Sequence, residues 1–316
     1  GTTEAINLVA QTWGAQTLRP GDEILVSAME HHANLVTWQQ MAKQTGARLR
    51  IIPLRATGDL DMQAYQNMLS ENTRMVAVTH VSNVLGTVNP VEEIVRKAKV
   101  VGAVTLIDGA QAVAHSPVDV QRIDCDFYAF SGHKVYGPTG IGVLYGRQDI
   151  LTQLPPWQYG GEMIRKVTFA ETEFNPPPLR FEAGTPAIAE ILGLASALDF
   201  LKKQQAAGAE EFQQTLLQYL VTELHQLDGV SVIGQPEWRQ GVVVSVVFTQ
   251  AHHHDVCHLL DAQGIAVRSG HHCAMPLLES LCLTGTLRIS LGIYNTKEDI
   301  DYCCLEKRYL YLLIIV

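Results

Sequence analysis

The chain has 316 residues, 47% hydrophobic and 17% charged, with a formal net charge of −9 and a pI near 5.7. That length can bury a large core and suggests about two domains, while an acidic chain without a lysine/arginine run argues against nucleic acid and anionic membranes as partners. No apolar stretch reaches the roughly 18 residues of a membrane span, and the six cysteines show no disulfide-scaffold spacing and follow no signal peptide, which points to a reducing cytoplasm.

In chain order, Gly1-Thr-Thr-Glu4 precedes a helically spaced apolar run, so Thr2 or Thr3 is expected to cap a first helix. The turn Arg19-Pro-Gly-Asp22 leads to a strand over 23–27, and His31-His-Ala-Asn34 opens a helix ending near Gly46. Strands are expected over 48–54, 74–80, 104–107, 126–130 and 141–145, with helices at about 61–70 and 91–101. Strands alternating with helices predict βαβ units and a mostly parallel sheet. The proline-rich stretch 154–178 reads as a long irregular connection. Thr185 followed by Pro186 is expected to start a helix reaching about Lys202.

From about residue 205 the pattern becomes that of a smaller α+β unit. It has a helix over 207–227, strands over 230–233, 242–248, 264–268 and 287–291, and a helix from about His254. We therefore expect a large domain over 1–204 and a small domain over 205–316. The sequence opens on Gly1 without a methionine and closes in an apolar tail over 309–316. The expectation at those ends is a fragment at the N-terminus and an aberrant reading at the C-terminus.

The densest motif is Phe130-Ser-Gly-His-Lys134-Val-Tyr-Gly-Pro-Thr-Gly140. It puts one lysine on a turn at a strand end, where a deprotonated amine is a nucleophile for a carbonyl cofactor. In open α/β sheets the site lies at the carboxyl ends of the strands, and Asn83, Asp108 and Lys134 all fall there. A carboxylate such as Asp108 suits a protonated ring nitrogen, and Gln111 a ring oxygen. Thr2, Thr3, Ser131, His133 and Thr185 are small donors suited to a phosphate, although each also reads as a simple cap. His31 suits a planar ring or a proton shuttle. No GxGxxG or Walker pattern occurs.

The second motif is Arg268-Ser-Gly-His-His-Cys-Ala-Met-Pro276. Cationic or polarising neighbours raise the thiolate content of a cysteine such as Cys273. A metal reading of His271-His272-Cys273 fails because no second ligand pair is spaced for zinc. Arg288, in the last expected strand, suits bidentate capture of an α-carboxylate.

These stretches, with Glu30-His-His-Ala-Asn, His80-Val-Ser-Asn-Val-Leu-Gly, Asp108-Gly-Ala-Gln and Phe181-Glu-Ala-Gly-Thr-Pro, run in the order found in one family. The chain resembles the group II cysteine desulfurases of the class V aminotransferase superfamily, which include selenocysteine-lyase-like members. The resemblance implies a fold-type I pyridoxal 5'-phosphate (PLP) enzyme. Lys134 would join the cofactor as a Schiff base, Asp108 would pair with the ring nitrogen and Gln111 with the ring oxygen. His31 would stack on the ring. Thr3, Ser131 and His133 would bind the phosphate, with Thr185 from a partner subunit of a homodimer. Asn83 and Arg288 would hold the substrate carboxylate, with Arg268 beside them, and Cys273 would take the sulfur of L-cysteine, or the selenium of L-selenocysteine. The product would be L-alanine and a persulfide passed to an acceptor protein for iron–sulfur or related assembly. In the family a further segment precedes the Gly-Thr-Thr motif, and a regular last helix stands where this chain has its Cys303-Cys304 tail. Other readings of the same residues are a different fold-type I PLP enzyme, or an inactive truncated chain that only binds a partner.

Overall fold

A computed structural model describes residues 1–234 and 241–304. The apolar tail expected over 309–316 lies outside the described residues.

The first unit opens with α1 (Thr2–Val9), which continues through one π turn into α2 (Ala15–Thr17). Its core is a six-stranded sheet of β1 (Glu23–Ser27), β2 (Arg48–Ile52), β3 (Thr73–Thr79), β4 (Val104–Asp108), β5 (Phe127–Ser131) and β6 (Gly142–Gly146), in the order β2-β1-β3-β4-β5-β6. Every pairing is parallel except β5 with β6. Between the strands run α3 (His32–Thr45), α4 (Met62–Met68), α5 (Val91–Val100) and the short α6 (Val120–Ile123).

Alternate strand residues face opposite sides, and both sides here are apolar. Ile24, Val26, Met75, Ala77, Leu106 and Phe127 pack with Trp38 and Met41 under α1 and α3. Leu25, Val76, Val78, Ile107 and Tyr128 pack with Tyr65, Ile94 and Val95 under α4 and α5. Burial on both faces explains why these strands read as continuous apolar runs.

After α7 (Gln148–Gln153) the proline-rich stretch is less irregular than expected. It holds a hairpin of β7 (Ile164–Val167) and β8 (Thr172–Phe174), whose polar, exposed residues give no alternating pattern. Helices α8 (Ile188–Ala206) and α9 (Ala209–His225) follow. Thr185 does not cap α8: the cap position is Ala187, and Thr185 and Pro186 lie in the exposed approach to it. Nor do Thr2 and Thr3 cap α1. Gly1 holds that position, and the Thr2 hydroxyl turns inward to Ser131.

The second sheet is antiparallel, ordered β11-β12-β10-β9, from β9 (Val230–Ile233), β10 (Val243–Phe248), β11 (Arg268–Gly270) and β12 (Thr286–Ser290), with α10 (His253–Ala262) and α11 (Met275–Ser280). The strand expected over 264–268 falls later, at 268–270. The apolar residues Ile265 and Val267 instead pack as a loop against the core formed by α9, α10 and β10. A smaller cluster of Met29, Val84, Leu85, Ala274, Leu277 and Leu278 joins the two sheets.

Gly109, just past β4, lies flat on the Tyr128 ring. A Cβ there would stand 2.1 Å from a ring carbon. Tyr128 is buried and hydrogen-bonded through its hydroxyl to His80 Nδ1 at 2.9 Å. Gly109→Ala is expected to cost about 1–3 kcal/mol through overpacking. Urea unfolding measures it, and an unchanged midpoint would show that Tyr128 gives way freely.

Candidate active site

Because β1, β3, β4 and β5 run parallel, their carboxyl ends meet on one edge of the sheet. A cavity of about 260 Å³ opens there, lined by Thr2, Thr3, His31, Asn83, Asp108, Gln111, Ser131, His133, Lys134 and Arg268. Ten predicted site residues, drawn from both units, thus meet in one place. A wider recess beside it shares Thr2, Thr3, Ser131 and His133. Cys273 and Arg288 stand just outside the lining, and Thr185 is exposed elsewhere.

Lys134 closes a single 3-10 turn, Gly132–Lys134, directly after β5. Burial lowers its ammonium pKa; Asp108 opposes that shift, while Arg288 and Arg268 add to it. Asp108 ends β4, is 3% exposed, and accepts the Ala110 N–H at 2.9 Å. Burial raises its carboxyl pKa against that hydrogen bond and the Lys134 charge. Each shift favours the neutral form, so a bound cation beside Asp108 would hold it ionised, and a less basic Lys134 is a better nucleophile.

His31 caps α3, its Nδ1 accepting the Ala33 N–H at 3.1 Å. Burial, then the charges of Lys134, His32 and Arg268, hold this imidazole down at about 4, so it is neutral near pH 7. At the opposite end, Ser131 Oγ accepts the Thr2 N–H at 2.9 Å and lies 2.7 Å from the Thr2 hydroxyl. Hydroxyls and the first turn of α1 gather here, a donor set suited to a phosphate.

Across the cavity mouth is the turn carrying Cys273. His272 and Cys273 both have left-handed backbones, φ 52° and 58°, which for non-glycine residues costs on the order of 1–3 kcal/mol each. Neighbours hold the turn. The Cys273 carbonyl accepts the His32 N–H at 2.7 Å, the His272 carbonyl accepts from Asn83 Nδ2 at 2.7 Å, and His272 Nε2 meets Thr286 Oγ1 at 2.8 Å. Arg268 Nη2 approaches Cys273 Sγ at 3.9 Å. Arg288 donates Nη1 to the Asn83 carbonyl at 3.1 Å, but its buried Nε has no partner. Burial, with Arg268 close by, lowers its pKa to about 10. A guanidinium short of one acceptor is equipped to take an anion.

His272 itself is 2% exposed, and burial with the charges of Arg288 and Arg268 lowers its pKa from 6.5 to about 4. Between those pH values the unfolded chain binds a proton that the native chain does not. Its contribution to stability is therefore complete above pH 6.5 and lost as pH falls toward 4, amounting to about 3 kcal/mol. Urea unfolding at pH 7 and pH 4.5 should show a smaller acid loss in His272→Gln than in the wild type. Equal losses would remove His272 as a source of the acid sensitivity.

Reading the sequence missed the layer beneath the site. Glu30, 2% exposed, accepts from the Ser27 hydroxyl, from Asn34 Nδ2 at 2.7 Å and from the Thr79 N–H at 2.9 Å. Burial pushes its carboxyl up to about 7, against those three donors. Thr79 and Ala110 also line the cavity. Thr79 ends β3, so the strand-end rule that picked out Asp108 would have found it.

The family model described as "Aminotransferase class-V" matches residues 1–303. Over 302 residues the chain is 49% identical to a cysteine desulfurase of Yersinia pestis (strain Pestoides F), covering 95% of this chain and 74% of that relative. The chain belongs to the cysteine desulfurases of the class-V aminotransferase family. Its fold superimposes on the cysteine desulfurase CsdA of Escherichia coli with a TM-score of 0.94 at 42% identity, covering 99% of this chain and 78% of that one. It also matches a lysine-to-alanine variant of C-DES, whose structure holds glycine covalently linked to its PLP cofactor. The TM-score is 0.83 at 27% identity, over 96% of this chain and 78% of that one.

Proposed function

We propose that the chain is a PLP-dependent cysteine desulfurase, converting L-cysteine to L-alanine and leaving the sulfur as a persulfide on Cys273. The observation that carries this reading is the meeting of Lys134 and Asp108 in one cavity, with Cys273 and Arg268 at its mouth. The donor set fits the cofactor. A buried carboxylate stands ready for a ring nitrogen, the amine is made less basic by burial, and the hydroxyls of Thr2 and Ser131 meet beside the first turn of α1.

In this reading Lys134 holds the cofactor covalently, Asp108 and Gln111 bind its ring nitrogen and oxygen, and His31 contacts the ring. Thr2, Thr3, Ser131 and His133 bind its phosphate, with Thr185 reaching the same site from a second copy. When bound, the cofactor is an electron sink that stabilises negative charge at the substrate Cα. Arg288 takes the substrate carboxylate on its unpartnered side. Lys134 Nζ accepts the Cα proton and returns a proton to carbon. Cys273 Sγ attacks the substrate Sγ; the sulfur–sulfur bond forms as the substrate Cβ–Sγ bond breaks. Arg268 sets a positive charge beside the attacking sulfur.

A homodimer is part of the proposal. Ile188, Ile191, Leu192 and Phe200 leave α8 with large exposed apolar side chains, as a partner subunit would cover. The division into a large domain over 1–204 and a small one over 205–316 is also part of it, with the nucleophile on the small domain. The acceptor is a protein taking sulfur by thiol exchange, and iron–sulfur assembly is the process it would feed. Among the described residues no cysteine is in a disulfide, which suits a reducing compartment such as the cytoplasm. Among the described residues no helix is long and apolar enough to cross a membrane.

The test is to load the purified protein with PLP, supply L-cysteine and a reductant, and assay alanine and sulfide together. Equal amounts of both are expected. Neither product from a cofactor-loaded protein would sink the proposal, and a rate seen only with L-selenocysteine would reassign the substrate.

A further inference from the structure

Asn83 touches both the carboxylate-binding arginine and the peptide unit before the nucleophile. It sits in the loop after β3, is 6% exposed, and uses both of its polar ends across the seam between the sheets. Its side-chain amide donates to the His272 carbonyl at 2.7 Å, and its backbone carbonyl accepts from Arg288 at 3.1 Å. Its neighbours tie the same seam. Ser245 donates its hydroxyl to the Val84 carbonyl at 2.7 Å, and the Gly241 N–H donates to the Gly86 carbonyl at 2.6 Å.

The receiving end is the left-handed pair His272–Cys273. A strained turn keeps its shape only when its surroundings hold it. The Asn83 amide fixes the His272 carbonyl, one peptide unit before the nucleophile. Thr286 fixes the His272 ring, and Thr286 opens β12, the strand that carries Arg288. Two of the turn's anchors lead back to Arg288, one through the Asn83 backbone and one along β12, while a third, from the His32 N–H to the Cys273 carbonyl, comes from α3.

We propose that Asn83 is a positioning residue for the sulfur step: it sets where Cys273 Sγ stands relative to the substrate carboxylate held by Arg288. This rests on Cys273 being the nucleophile. It goes beyond a role for Asn83 as a substrate ligand, because it assigns the side-chain amide to the His272 carbonyl. The reacting sulfurs must meet within a narrow range of distance and angle, and a misplacement near 1 Å costs about 10²-fold in rate. A residue bonded to both sides of the gap is placed to fix that distance.

The test compares two reactions of the PLP-loaded protein. Exchange of the L-alanine Cα hydrogen in deuterated water needs the cofactor, Lys134 and the carboxylate site but no thiol. Alanine formation from L-cysteine needs all of these and Cys273. In Asn83→Ala the ratio of sulfur transfer to exchange is expected to fall by about 10²-fold, mainly in kcat. Alkylation of Cys273 by iodoacetamide, followed by peptide mass, is expected to speed up as the turn loosens. Thr286→Val, which removes the second anchor at nearly constant volume, should shift the ratio in the same direction, and it carries the test if Asn83→Ala does not fold.

A parallel fall of both reactions would make Asn83 a ligand of substrate or cofactor and overturn the proposal, as would an unchanged ratio. If the wild type exchanges alanine but forms none from L-cysteine, the desulfurase reading fails instead.

Discussion

Lys134→Ala is expected to lower alanine formation from L-cysteine by on the order of 10³-fold and to remove the yellow colour of the PLP-loaded protein. The lysine stands at the end of β5 on a single turn, at the carboxyl edge of a parallel sheet, where the cavity lies. Most lysines are solvated and protonated. Burial, reinforced by Arg288 and Arg268, moves this one toward the free amine, and Asp108 limits the shift. In the proposed reading covalent attachment and proton transfer at Cα both need an unprotonated Nζ, so one substitution would remove two functions. Lys134→Arg separates this from a loss of charge, because arginine keeps a cation and cannot be deprotonated in a protein. Both variants should fail alike. Desulfuration in either within tenfold of the wild type would remove Lys134 from the chemistry.

The elements of the first unit were legible because its strands are buried on both faces and its helices are punctuated by Pro and Gly. Asp108 and Lys134 could be placed at strand ends from the sequence alone, and the structure brings those ends together. The antiparallel pairing of β6 could not be read, since Gly142–Gly146 looks like any short apolar strand. Local cap rules failed at Thr2 and Thr185: at Thr2 a long-range hydrogen bond to Ser131, 129 residues away, outcompetes the local one. Glu30 was invisible for a related reason. A glutamate is ordinarily exposed, and only the tertiary fold supplies the three donors that let this one be buried. The link from Asn83 to His272 spans 189 residues and runs to a backbone carbonyl, so no side-chain pattern announces it.

Cys273→Ala should abolish sulfur transfer, by on the order of 10³-fold or more where a covalent nucleophile is removed, while exchange of the L-alanine Cα hydrogen continues. The two outcomes diverge because the site has two halves. In the proposed reading the first unit supplies Lys134, which moves the proton at Cα, together with Asp108 and the phosphate donors that would hold the cofactor. The second sheet supplies Arg268 and Arg288 and borders the turn bearing Cys273; of these groups only the thiol is needed for sulfur transfer alone. Removing the thiol leaves the cavity walls untouched, since Cys273 does not line it. A structural cysteine would behave differently: its loss would lower stability and both reactions together. Cys282 is the internal control, exposed and absent from the cavity lining. Cys282→Ala should leave both reactions at wild-type rates. Mass spectrometry of the wild type after a brief exposure to L-cysteine should find one added sulfur on the Cys273 peptide and none on the Cys282 peptide. An added sulfur on Cys282 alone, or desulfuration surviving in Cys273→Ala, would move the persulfide to another thiol and leave the strained turn at His272 without a catalytic purpose.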